Sequence, residues 1–166
     1  MVPDRDETLL LALLNSTPVV RSEVADELAD EEVASGILRG WGGSGTTAEL
    51  AALRAARTDL QAVVRAERPV EALWTHLNDV ARVPTFQDGR LAWRLTAGRD
   101  RLLSAGAVLA FFALAEQAPG RLRPCENDTC RLFLIDHSRA GTARWCSMAV
   151  CGNRMKARRY ASRQAG

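Results

Sequence analysis

The sequence predicts a mainly α-helical bundle with a small β-hairpin, followed by a small cysteine-rich module. Apolar residues recur at helical spacing through much of residues 1–120. One alternating segment around Asp88-Gly89 is typical of a hairpin with a tight turn. All four cysteines of the 166-residue chain lie after residue 120. These observations divide the chain into a body (residues 1–120) and a C-terminal module (residues 121–166).

The first half of the body predicts three helices. An apolar helix over 8–14 should end at the polar run 15–18, whose side chains and proline disfavour further helical hydrogen bonds. An acidic helix is expected over 22–34, with three residues facing inward: Val24, Leu28 and Val33. After a glycine-rich link, Thr46 and Glu49 form a capping-box pattern. The buried side of this third helix should carry Leu50, Leu53, Leu60 and Val64.

The second half of the body predicts a helix, a hairpin and a central helix. Pro69 suits a first helical position, and the amphipathic stripe that follows consists of Val70, Leu73, Trp74, Leu77 and Ala81. Strand-like segments 85–87 and 91–95 flank the Asp-Gly turn. We expect Asp100 to open a helix over 101–117 that is apolar nearly all round and lies at the centre of the bundle. Pro119-Gly120 marks the predicted domain boundary.

Charge is divided unevenly between the two parts. The body carries 12 arginines against 17 acidic residues, whereas the C-terminal module carries nine arginines and one lysine against three acidic residues. An acidic body with a basic module is the asymmetry expected when the module meets a polyanion and the body has another role.

The sequence favours a cytoplasmic protein without a membrane partner. The N-terminal stretch lacks a basic region before its short apolar run, so it is not typical of a secretory signal. The apolar run 102–115 is too short to span a hydrocarbon core of roughly 30 Å. A reducing cytoplasm keeps thiols free, which favours metal binding over disulfides.

The cysteines are arranged as Cys125-x4-Cys130-x15-Cys146-x4-Cys151. Two symmetric pairs of thiolates suit one tetrahedral Zn²⁺. Two disulfides are the alternative. Zinc with four cysteine ligands has no open position, so we expect a structural ion and no enzymatic activity.

Local patterns around the cysteines predict a treble-clef-like zinc finger. A strand-like segment, Leu132–Ile135, follows the first pair, a polar turn over 136–141 comes next, and a helix-like segment over 148–163 includes and follows the last cysteine. Metal is needed because a segment of about 45 residues buries too little apolar surface to fold alone.

Helical spacing separates the basic residues of the tail into two groups. Arg154 lies three residues after Cys151, which places it on the metal-facing side. Lys156, Arg159 and Arg163 fall within roughly 60° of one another at 100° per residue, and we assign them to phosphate contacts. Arg144 and Arg158 complete the predicted nucleic-acid surface. The alternative is that this surface is only a solvated helix face.

Four segments carry a resemblance to the CGNR zinc finger family: 125–130, 132–136, 144–148 and 151–154. The pattern Trp-Cys-Ser-Met-x-x-Cys-Gly-Asn-Arg, which begins at Trp145, is its most specific part. Residues 1–120 resemble the ABATE domain that precedes such fingers in bacterial proteins described as stress-induced transcription regulators. Asn15-Ser16-Thr17 is similar to an early Asn-Thr signal of that domain.

The resemblance implies a helical N-terminal domain, a structural zinc and a DNA-binding role. Two departures from the family pattern reduce the positive charge near the implied binding surface. His137 stands where the family usually has a basic residue, and Ala143 and Arg144 stand where it usually has two arginines.

Two other groups of residues are site candidates. Trp41, Trp74 and Trp93 would line a small-molecule pocket in the body or, alternatively, serve as core residues. His76 is expected to be a half-buried helix residue. His137 could compete as a metal ligand, but the four cysteines already complete the site.

The sequence thus predicts a transcriptional regulator that binds double-stranded DNA through its C-terminal module. Its body would bind a small-molecule effector or form a homodimer. A zinc-stabilised protein–protein interaction module and an RNA-binding protein are the alternatives.

Overall fold

A computed structural model describes residues 4–164 of the chain, with side chains from Glu7 onward, and about half of these residues are helical. The five α-helices are α1 (Asp4–Leu14), α2 (Glu31–Gly40), α3 (Thr47–Val64), α4 (Leu102–Gln117) and α5 (Asn153–Gln164). Shorter helical segments are 3₁₀ segments at Val70–Leu77 and Arg99–Arg101 and a π-helical turn at Met148–Gly152. Within residues 4–164, no helix is both long and apolar enough to cross a bilayer.

The strands form three separate two-stranded antiparallel sheets. They pair β1 (Val19–Val20) with β2 (Glu23–Val24), β3 (Ala81–Gln87) with β4 (Arg90–Thr96), and β5 (Leu122–Pro124) with β6 (Phe133–Ile135). The first two lie in the body, and the third encloses the first cysteine pair.

The core of the body lies where α1 and α3 pack against α4. As predicted, α4 is nearly all apolar, and small residues such as Ala105, Ala107 and Ala110 on its buried side allow close approach of its neighbours. The expectation that Asp100 caps this helix is wrong. Asp100 lies in the preceding 3₁₀ segment and accepts hydrogen bonds from the hydroxyls of Ser44 and Thr46.

Helix α3 begins as its sequence predicts, with one difference in the cap. The Thr46 hydroxyl accepts a hydrogen bond from the backbone N–H of Glu49 at 3.1 Å. The Glu49 carboxylate is fully buried and accepts from the Gly45 N–H at 2.8 Å, one residue before the position that a capping box uses. Of the expected inward residues, Leu50, Leu53 and Leu60 are buried and Val64 is partly buried.

The expected helix over 22–34 is wrong. Residues 21 and 22 form the turn of the β1–β2 hairpin with positive φ, which a helix cannot contain. Helix α2 instead begins after Asp30, whose side chain accepts hydrogen bonds from the N–H groups of residues 32 and 33. Leu28 is buried as expected, but Val24 and Val33 are exposed.

The amphipathic stripe over 70–81 is only partly correct. Its residues form a 3₁₀ segment that ends at Leu77, and Ala81 belongs to β3. Leu73 is buried and Leu77 partly buried, whereas Val70, at the start of the segment, and Trp74 are exposed. The predicted α-helical stripe therefore does not describe which side chains of this 3₁₀ segment are buried.

The hairpin prediction is confirmed, and the hairpin is longer than expected. Asp88 and Gly89 both have positive φ and connect seven-residue strands in which Gln87 pairs with Arg90.

The C-terminal module packs against the body through β6. Phe133 is buried in the same apolar cluster as the body leucines. The Asn15 side chain accepts a hydrogen bond from the Phe133 N–H at 2.7 Å and donates to its carbonyl at 3.2 Å. The Arg65 guanidinium lies 4.5 Å from the centre of the Phe133 ring. Asn15, the residue that follows α1, thus holds the strand that follows the first cysteine pair.

Candidate metal centre and basic helix

The four cysteines lie together although the sequence separates them by up to 26 positions. All four Sγ atoms lie within 4.8 Å of one another. The sulfur of Cys146 is 3.7 Å from that of Cys130 and 3.6 Å from that of Cys151. All four are free thiols, so the disulfide alternative does not describe this arrangement.

The first pair is positioned by the β5–β6 hairpin. Strand β6 pairs with β5, which precedes Cys125, so the two strands enclose the first pair. The Cys125 N–H donates to the carbonyl of Leu132, and the Cys130 N–H donates to the carbonyl of Asn127. The chain between the two cysteines is therefore a closed loop that directs both thiols to one side.

The second pair is positioned by the π-helical turn. The Cys146 N–H points at the sulfur of Cys125 at 3.5 Å, which joins the two pairs. The Ser147 hydroxyl caps the turn by accepting from the Val150 N–H, and the Gly152 N–H donates to the Ser147 carbonyl. Cys151 is thereby placed on the inner side of the turn, where it is buried.

Asn127 contacts the cysteine cluster and was not singled out from the sequence. Its side chain is fully buried and donates to the sulfur of Cys151 at 3.3 Å. The outer partners of metal ligands orient them and tune their charge, and this hydrogen bond has that geometry. Its position inside the Cys-x4-Cys loop is the signal that could have identified it.

The thiols resist simultaneous ionisation in the absence of a cation. Burial raises the pKa of Cys130 to about 11 and also raises the pKa of Cys146. Burial opposes ionisation of Cys151 as well, but hydrogen bonds from Asn127 and the neighbouring thiols lower its pKa. A divalent cation at the centre would offset the repulsion among four thiolates.

The sulfur separations fit zinc. Tetrahedral Zn²⁺ with Zn–S distances of about 2.3 Å requires sulfurs about 3.8 Å apart. The two separations given above agree with that value. Residues 121–164 match the model of the CGNR zinc finger family. The match does not extend to residues 1–120. No curated protein matched the chain. Together, the CGNR match and the sulfur geometry fit one structural zinc ion held by Cys125, Cys130, Cys146 and Cys151.

Asp136 fixes the turn between the two cysteine pairs. Its buried carboxylate accepts from the N–H groups of Ser138 and Ala143 at 2.9 Å and from the Arg123 guanidinium at 2.5 Å. The pKa of Asp136 lies well below its usual range. Its carboxylate is hydrogen-bonded by Ser138 and Ala143, and the positive charge of Arg123 lies beside it. The carboxylate thus holds strand β5 and the chain leading to Cys146 in one position.

Two of the predicted nucleic-acid residues have intramolecular partners. Arg144 forms an ion pair with Glu126 at 2.5 Å and lies over the Trp145 ring. Arg158 forms two hydrogen bonds with the Asp128 carboxylate, at 2.5 and 3.1 Å, which raise the pKa of Arg158. Both arginines therefore neutralise acidic residues of the first cysteine loop.

The other predicted residues form the basic stripe: Lys156, Arg159 and Arg163. All three are exposed, and their charged groups have no partner among residues 7–164, whose side chains are described. Tyr160 lies on the same face by helical spacing, is exposed, and was not singled out from the sequence. Arg154 borders the same cleft as three of the cysteines, but none of the described side chains hydrogen-bonds to it.

The three tryptophans do not form one pocket. Trp41 borders a cavity of about 580 Å³ between α1 and α4, together with Leu9, Leu102 and Gly106. Trp74 borders a different, smaller cavity beside Phe112. Trp93 lies on the exposed face of β4.

Neither histidine lies with the cysteines. His76 is largely buried, and its Nε2 lies 2.8 Å from the Asp59 carboxylate. His137 is 69% exposed and lies 3.3 Å from the carboxylate of Glu7.

Proposed function

We propose that this protein is a DNA-binding transcriptional regulator whose C-terminal module is a structural zinc finger. The observation that supports it most is helix α5, an exposed helix whose basic stripe has no acidic partner among the described residues. A helix of this size fits the major groove of DNA, and cationic side chains along one face would neutralise phosphates. In this proposal the zinc ion holds the base of α5 in a treble-clef-like arrangement.

Zinc serves the fold in this proposal and performs no chemistry. Four cysteine ligands leave no coordination position for a substrate. The protein would therefore act by binding, in a reducing cytoplasm where the thiols are available to metal.

The body would belong to the ABATE domains and would sense an effector or form a homodimer. The cavity beside Trp41 has a volume typical of small-molecule sites and is lined mainly by apolar residues. A dimer would place two basic stripes on one duplex. A single finger contacts too few bases to be specific alone, so the second stripe would supply the missing contacts.

The first test is the dependence of DNA binding on salt. With three free cations in the basic stripe, the slope of log affinity against log salt should be near −0.9 per phosphate, or about −2.7. A fourfold rise in salt should then weaken binding of a fluorescent duplex roughly 40-fold in an anisotropy titration. A nearly flat response would reject the proposal.

The second test replaces the basic stripe by the triple change Lys156→Glu, Arg159→Glu and Arg163→Glu. Duplex binding should fall by at least a hundredfold, because the variant loses three phosphate contacts and adds like charges. Arg90→Glu, Arg94→Glu and Arg99→Glu form a control with the same charge change on exposed residues of the body. Equal losses in both triple variants would show only a general effect of net charge.

A zinc-stabilised protein–protein module is the second candidate. The β3–β4 hairpin presents three large exposed apolar side chains: Phe86, Leu91 and Trp93. Clustered exposed apolar side chains often mark a surface that contacts another molecule. Unchanged duplex binding in the basic-stripe variant, with zinc retained, would favour this candidate. RNA binding is distinguished by replacing the DNA duplex with an RNA duplex of the same sequence in the same titration.

A further inference from the structure

A cleft of about 780 Å³ separates the β1–β2 turn of the body from the C-terminal module. Its volume lies within the range of small-molecule sites. One side is formed by body residues that include Val19, Arg21 and Ser22. The other side is formed by residues of the module, among them Val150 and three of the four cysteines. The cleft thus lies between the part of the chain that would sense and the part that would bind DNA.

Two arginines border the cleft, one from each side. Arg21 comes from the body and Arg154 from the first turn of α5. Both are exposed, and neither has an ion pair or hydrogen bond through its guanidinium to any of residues 7–164, whose side chains the structure describes. This contrasts with Arg144 and Arg158 of the same module, which are both paired. Unpaired guanidinium groups are the donors that proteins use most to hold phosphate in two-point contacts.

The turn that carries Arg21 has an unfavourable sequence for its conformation. Arg21 and Ser22 have φ of 52° and 71° and form a two-residue turn between β1 and β2. Such turns strongly prefer Asn-Gly or Asp-Gly, because positive φ is disfavoured for other side chains. An arginine thus stands where an asparagine would fit the backbone better, and its side chain borders the cleft.

The remaining lining complements an organic phosphate. Pro18, Val19, Leu132 and Val150 provide apolar surface, and Thr129 and Ser147 provide hydroxyl groups. The thiolates of the zinc centre oppose an anion here, so the two arginines must supply the attraction.

We propose that the cleft binds a phosphate group through Arg21 and Arg154, with the apolar side receiving the moiety that carries the phosphate. The phosphate belongs either to a small ester such as a nucleotide or to a nucleic-acid backbone. Either occupant would link the body to the C-terminal module. The proposal does not depend on the basic stripe, which lies further along α5.

The test is isothermal titration of zinc-loaded full-length protein with AMP, inorganic phosphate, adenosine and a 16-bp DNA duplex. AMP should bind more tightly than phosphate, and adenosine should bind weakly or not at all. Arg21→Asn and Arg154→Gln should each weaken AMP binding about 10- to 100-fold, which is the contribution of one charge-assisted hydrogen bond. Arg82→Gln, an exposed arginine of β3 outside the cleft, should have no effect.

Arg21→Asn also separates function from folding. Because asparagine suits positive φ, this variant should unfold at the same temperature as the wild type or higher while it loses AMP binding. If the duplex binds with the same dependence on Arg21 while AMP and phosphate do not bind, the phosphate is that of the nucleic-acid backbone. If AMP binding persists in the basic-stripe variant that no longer binds DNA, the occupant is the small ester.

Two results would overturn the proposal. One is wild-type affinity for AMP, phosphate and duplex in both arginine variants. The other is the absence of binding by AMP, phosphate and duplex alike, with faster zinc release to a chelator in Arg154→Gln. That combination would assign the arginines to neutralising the zinc centre.

Discussion

At the scale of single residues, the ion pair between Arg57 and Asp26 organises the chain between α1 and α2. The Arg57 side chain is only 8% exposed and makes two hydrogen bonds to the Asp26 carboxylate, at 2.6 and 2.7 Å. It also donates to the hydroxyl of Ser16 at 2.9 Å. The hydrogen bonds from Arg57 hold the pKa of Asp26 below its ordinary value, although partial burial opposes this. This pair binds an irregular segment to α3.

Asp26→Asn should lower the free energy of unfolding by about 1–3 kcal/mol at neutral pH, because it leaves the buried guanidinium without its counter-charge. The pKa of Asp26 is lower in the folded state, so the stabilisation is complete above the ordinary carboxyl value of about 3.9 and is lost as the pH falls below it. The difference between wild type and variant should therefore narrow on acidification, as measured by urea unfolding from pH 7 to pH 3. Glu71→Gln, at an exposed carboxylate, serves as the control. A difference independent of pH would contradict this account.

At the scale of elements, the β3–β4 hairpin presents an apolar face without a described partner. Phe86 pairs across the strands with Leu91, and Pro84 pairs with Trp93, which places these side chains on one face. An isolated two-stranded hairpin is marginally stable in water. Its cross-strand pairs help to hold it, and a second copy of the chain covering the same face would stabilise it further.

If the hairpin mediates the proposed homodimer, Trp93→Ser should raise the dimer dissociation constant about tenfold or more, as expected for a buried aromatic contact. Sedimentation velocity over a range of concentrations measures this directly. Arg94→Ser changes the neighbouring residue on the opposite face and should leave the dissociation constant unchanged. A wild-type protein that remains monomeric at all concentrations would contradict the dimer.

Local signals explain which elements the sequence predicts well. The Asp-Gly turn and the nearly all-apolar α4 depend on short-range geometry and are found at their expected positions. The segment 22–34 has helical composition, but the contact of Asp26 with Arg57 and the cap at Asp30 shift the helix toward the C-terminus. The Asp26–Arg57 contact depends on tertiary structure, which local propensity does not contain. The Asp30 cap is a local signal, and the prediction overlooked it.

At the scale of the whole molecule, the zinc centre and the body are connected through Phe133. This side chain is buried with the body leucines, and Asn15 hydrogen-bonds to its backbone from 118 positions away. The four cysteines could be predicted as one site because their spacing is itself the signature of the metal. The contact of Asn15 with Phe133 could not be predicted, because nothing in either local sequence specifies the other.

We expect a single zinc ion to order residues 121–164. Atomic emission spectrometry of purified protein should find one zinc per chain and should find less than a tenth of that in Cys146→Ser. Trypsin should also cleave the variant at arginines beyond residue 136. The α1–α4 bundle has its own core and should remain folded. Protein that contains no zinc, or that contains disulfides among the four cysteines by mass spectrometry, would contradict the account.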